Sequence, residues 1–139
     1  SLDAFRTIAE RVGDEALYDI GSTLPHIPNW PPGIDSIESA LKALDIAYHM
    51  NHMIDEQPLY NVNTGGMKEG IGHYAFEKVS EQKMHIICDN PYPDEFDRGI
   101  VESLAKKYAR PGQQVKVSID KSRPTRTEGG DATVFIITW

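Results

Sequence analysis

The 139 residues hold a single cysteine, Cys88, so no disulfide can close within the chain. That fits a reducing compartment, and a cytoplasmic location is the expectation. No run approaches the ~18 apolar residues that a membrane-spanning helix requires. No basic-then-apolar leader opens the sequence. Ser1 stands first, without a methionine, as expected of a processed or trimmed piece of a longer chain. Positive charge is also short: 14 lysines and arginines face 21 aspartates and glutamates, a net charge of -7. A phosphate backbone needs a basic surface, so nucleic acid is not an expected partner. The two basic clusters, Lys106 to Arg110 and Lys121 to Arg126, read as a solvated helix end and a solvated loop. No Gly-x-Ser-x-Gly motif occurs, and Gly70-Ile71-Gly72 precedes a strand rather than a helix, so it is no phosphate loop.

What is present suits one globular domain over residues 1–139. With 40% apolar and 25% charged residues, a chain of this length buries a core without staples. Phe5, Ile8, Ala9 and Val12, then Ala16, Leu17 and Ile20, recur at helical spacing, and Gly21 reads as the C-cap. Four prolines break Leu24 to Gly33 into a loop. Asp35 and Glu38 have the spacing of a capping box, followed by the apolar stripe Ile37, Leu41, Leu44 and Tyr48, which predicts a helix from about Ser36 to about His52. Asp55 to Gly66 reads as loop or hairpin approach. Ile71 to Val79 and Met84 to Cys88, joined through Ser80 to Gln82, predict an antiparallel hairpin. Pro91 and Pro93 end that hairpin. A helix then starts at Asp94 or Glu95, with the stripe Phe96, Ile100, Leu104 and Tyr108, acids at its start and bases at its end. Val115, Val117 and Ile119 alternate as a strand, and Ala132 to Trp139, apolar on both sides, reads as a last, central strand. The order α-α-β-β-α-β-β predicts an α+β fold: N-terminal helices packed on an antiparallel sheet of about four strands, with one inserted helix.

Three stretches carry a family resemblance. They are the hairpin GIGHYAFEKVSEQKMHIICDNPYP (Gly70 to Pro93), the helix EFDRGIVESLAKKYA (Glu95 to Ala109) and the ending KSRPTRTEGGDATVFIITW (Lys121 to Trp139). From Ser36 to Trp139 the order of pieces resembles the 4-vinyl reductase-type domains and their relatives near the haem-nitric-oxide-binding fold. The resemblance implies a small-molecule-binding or signal-input module, often dimeric and often attached to a regulator. Thr133 stands where such domains have a cysteine before the closing strand, and Asp94 where a second follows the prolines. Any metal or redox role resting on those cysteines is therefore not carried over.

The chemistry-bearing residues leave two readings open. Trp30, Tyr48, Tyr74, Phe76, Tyr92 and Phe96 either line one apolar cavity between helices and sheet or fill a plain core. The first reading makes the chain a non-catalytic sensor domain that holds a small apolar molecule or cofactor, with the Trp30 loop as lid. The second class is a metal-dependent enzyme. His49 and His52 stand i, i+3 on one helix, with Asp55 a further step along. His73 and His85 lie on adjacent strands and, with Cys88, make a candidate metal or haem site. Cys88 and His85, three apart on one strand, face opposite ways and make a poor nucleophile pair. Asp89, Asp94 and Asp97 offer paired carboxylates, but helix capping accounts for them.

Overall fold

The computed structural model describes residues 13–26 and 29–139. The expected helical positions Phe5, Ile8, Ala9 and Val12 lie outside the described residues. Helix α1 is Asp14–Thr23, followed by a 3-10 turn, Leu24–His26. Gly21 does not end the helix, as the sequence led us to expect; it lies inside it and is buried. The reason is its neighbour. A Cβ at Gly21 would collide with the Phe96 carbonyl of helix α3 (Asp94–Lys107), and one at Gly99 with the Tyr18 carbonyl of α1. Two glycines thus let the helix backbones touch. Around them Tyr18 donates to Glu102 at 2.8 Å, Arg98 lies 4.4 Å over the Tyr18 ring, and Ser103 donates to the Ser22 carbonyl at 2.7 Å.

Helix α2 is Ile37–Met50. Its capping box is formed by Ser36 and Ser39, not by the expected Asp35 and Glu38. Ser36 Oγ accepts from the Ser39 N–H at 3.1 Å, and Ser39 Oγ accepts from the Ser36 N–H at 3.0 Å. Serine at N3 fulfils the role usually taken by glutamate because its hydroxyl reaches back over the same turn. Ile37, Ala40, Leu41, Leu44, Ala47 and Tyr48 make one buried face at helical spacing. A short hairpin of β1 (Met53–Ile54) and β2 (Gln57–Pro58) follows, within the segment expected to be loop or hairpin approach.

The main sheet is antiparallel, with β3 (Tyr74–Ser80), β4 (Lys83–Cys88), β5 (Lys116–Ile119) and β6 (Thr133–Thr138) in the order β3-β4-β6-β5. The last strand is central, as its two-sided apolar character predicts. Register sets one face of the sheet against the helices: Tyr74 pairs with Cys88, Phe76 with Ile86, Ile86 with Phe135 and Met84 with Ile137. These alternate with Glu77, His85 and Ile136 on the other face. α2 lies against β3, α3 against β5 and β6, and α1 covers α3. The fold is α+β, and no described helix is long and apolar enough to cross a membrane.

Overpacking is the expected result of adding a methyl at the α1–α3 contact, where the obstacle is backbone and cannot rotate away. Gly99→Ala should lower stability by about 3 kcal/mol, the upper end of the overpacking range. The urea midpoint should fall with an unchanged slope; an unchanged midpoint would show that the helices do not meet at this residue.

Candidate functional site

Five of the six predicted aromatics meet. Trp30, Tyr48, Tyr74, Tyr92 and Phe96 line one pocket of about 270 Å³. They come from the loop before α2, from α2, from the start of β3, from the β4–α3 connection and from the first turn of α3. Leu24, Leu44, Ala47 and Ile100 complete the apolar wall, and Asn51 and His52 sit at the end of α2. Phe76 is the exception. It is two residues beyond Tyr74 on the same face of β3, where it packs half-buried against the core but does not reach the pocket.

The rings pack edge to face rather than collapsing on one another. Tyr48 and Tyr74 are 5.0 Å apart at 90°, Tyr48 and Tyr92 6.0 Å apart at 72°. Each hydroxyl is placed. Tyr48 donates to the Ile71 carbonyl at 2.6 Å, and Tyr74 donates to Asp97 at 2.5 Å. Burial pushes both phenols above their ordinary range. His52 Nδ1 lies 2.6 Å from the Tyr48 carbonyl, which can only accept, so this nitrogen carries the hydrogen. His52 Nε2 then takes a longer bond, 3.3 Å, from the Tyr92 hydroxyl. Asn51 donates to the carbonyls of Ala47 and Asn29, fastening the Trp30 loop to the end of α2.

Beneath the pocket lies a buried polar network. Asp97, read from the sequence as a first-turn acid that complements the helix dipole, has no exposure at all. Its Oδ1 takes the Tyr74 hydroxyl, and its Oδ2 is 3.0 Å from Arg126 Nη2, an electrostatic contact rather than a directed hydrogen bond. Arg126, expected in a solvated loop, is half-buried and turned toward partners. It donates to Asp94 at 2.8 Å and to the Asn90 side-chain oxygen at 2.7 Å. Thr133 donates to Asp94 at 2.7 Å. Burial raises Asp97 to about 6, against the pull of Arg126 and of its hydrogen bonds.

The five candidate metal ligands do not converge. His85 is on the outer face of the sheet, 3.4 Å from Glu77, and Cys88 is wholly buried on the inner face. Burial pushes the Cys88 thiol up, with the Asp97 charge adding to it, which disfavours a thiolate ligand or nucleophile. His52 belongs to the pocket. Only His49 and His73 meet, stacked with ring centroids 4.9 Å apart. They meet over Asp45, which our reading of the sequence missed. Its carboxylate takes His73 Nδ1 at 2.8 Å on one oxygen and the Tyr74 N–H at 3.0 Å on the other. Glu69 holds His73 Nε2 at 2.6 Å. The signal for Asp45 was its spacing: it stands four residues before His49 on one helix, hence on the same face. Hydrogen bonds to Asp45 and then to Glu69 raise His73 to about 9. Gly72, at φ 79°, brings His73 to this position where a Cβ would lie 2.8 Å from the Asp89 carbonyl oxygen. No protein-family model and no curated protein matches the sequence.

Asp97 and His73 both hold a proton in the folded protein that they give up earlier when unfolded. Stability therefore falls as pH rises through each window. For Asp97 the window runs from 3.8 to about 6, as a neutral buried acid becomes a buried charge. For His73 the favourable imidazolium pairing is complete below 6.5 and lost as pH passes about 9. The urea midpoint should fall in these two steps. Asp97→Asn should remove the lower one and Asp45→Asn shrink the upper one, and a flat profile between pH 7 and 9.5 would contradict the His73 pairing.

Proposed function

We propose that the chain is a cytoplasmic, non-catalytic small-molecule-binding domain that takes in a signal by holding a small apolar ligand between its helices and sheet. The observation that carries this reading is the convergence of five aromatic residues, from four separate stretches of the sequence, on one apolar pocket. A pocket of about 270 Å³ is larger than a cavity of ~150 Å³ that holds benzene, so one or two rings is the size it suits. Its wall carries few polar groups, and no lysine, arginine or carboxylate is among its lining residues. That favours an uncharged ligand, because an unpaired charge buried there would be costly. The resemblance of Ser36 to Trp139 to small-molecule sensor domains points the same way, and dimerisation belongs to that reading. The Trp30 loop, tied to α2 through Asn51, acts as the lid. A ligand moves such a domain only as far as it prefers one arrangement of lid and helices over another.

Naphthalene tests the pocket. At ten times its dissociation constant it should raise the melting temperature by about 5 °C, the shift a binding stabilisation of ~1.4 kcal/mol produces in a domain of this size. Ala47→Phe, which places a ring in the space, should remove the shift while the circular dichroism stays native. If neither benzene nor naphthalene shifts the melting temperature, the pocket is not a site for apolar molecules.

A further inference from the structure

The geometry points to a binding site for a divalent first-row transition ion of the zinc class at Asp45, His49 and His73, beside the pocket and independent of it. One ring nitrogen of each histidine and one carboxylate oxygen of Asp45 lie within 4.8 Å of one another. Two imidazoles and a carboxylate are a donor set that zinc and its neighbours take, with a coordination position left for water, once His73 has given up the ring proton it shares with Asp45. Glu69 lies outside this cluster: it holds the other ring nitrogen of His73, Nε2, and so fixes the orientation of the ring while Nδ1 faces Asp45.

Three further features belong to a built site rather than to a chance meeting of charges. First, the donors sit on ordered backbone: Asp45 and His49 are one turn apart on α2, and His73 immediately precedes β3. Second, the donors are themselves oriented. The Tyr74 N–H holds one Asp45 oxygen at 3.0 Å, and the Asp45 backbone carbonyl lies 2.8 Å from His49 Nδ1. A metal-binding histidine commonly gives its other ring N–H to a backbone carbonyl or carboxylate in this manner. Third, His49 is completely buried, and its Nε2 has no hydrogen-bond partner among the described residues. With Nδ1–H committed to the carbonyl, Nε2 carries a buried lone pair, which costs stability unless something accepts it. Entry is open from the solvent side, where the side chains of His73 and Asp45 keep 27% and 22% of their exposure and Glu69 76%.

Zinc chloride added to the metal-free full chain is the probe. Calorimetry should show one equivalent bound, and proton NMR should show the imidazole signals of two of the five histidines displaced, those of His49 and His73. Because His49→Asn sits in the core and threatens folding, the deciding variant is His73→Asn at the partly exposed ligand. It should weaken zinc at least about a hundredfold, since losing even an outer-shell partner of a ligand costs roughly 10- to 100-fold. His26→Asn, on the exposed turn after α1, should leave binding unchanged. Zinc bound no better than by free imidazole, bound equally by His73→Asn, or displacing the signals of other histidines would each overturn the site. Naphthalene binding reports separately on the pocket.

Discussion

A carboxylate with no solvent exposure sits among apolar side chains, and much of the remaining arrangement follows from how it is satisfied. Asp97 lies in the first turn of α3, between the Tyr74 hydroxyl and the Arg126 guanidinium. A lone buried charge would be prohibitive, so its partners are under tight geometric obligation. Tyr74 must point its hydroxyl down from β3, which leaves its ring as a wall of the pocket. Arg126 must come inward from the loop between β5 and β6, and it brings Asn90, Asp94 and Thr133 with it. One acidic side chain thereby registers a helix, two strands and a long loop. It also accounts for the apolar lining on this side of the pocket, because the polar groups behind it are turned toward one another.

Much of the architecture was legible because it is periodic. The stripes Ile37-Leu41-Leu44-Tyr48 and Phe96-Ile100-Leu104 predicted their helices, and the two-sided apolar run ending at Trp139 predicted a central strand. Aromatic content alone identified Trp30, Tyr48, Tyr74, Tyr92 and Phe96 as residues able to share a cavity. Phe76 was grouped with them because alternation assigns a face, not a position along it.

The polar partners were illegible for a different reason. Arg126 meets Asp94 across 32 residues, and His73 meets Asp45 across 28. Nothing in local spacing distinguishes an arginine that turns inward from one that is solvated, and the basic cluster around it argued for the latter. Likewise, an acid in the first turn of a helix satisfies the helix dipole whether it is exposed or buried, so Asp97 looked ordinary. Gly21 misled because glycine serves two purposes: ending a helix and letting another backbone approach. Only the neighbouring helix decides which.

That backbone-to-backbone approach has a mechanical consequence. Where helices meet through side chains, rotamer changes absorb small displacements. Where they meet through bare peptide groups, as at Gly21 and Gly99, no such cushion exists. At these two points the helices are in direct backbone contact, so α3 cannot shift toward α1 at Phe96 or Ile100 unless α1 shifts with it.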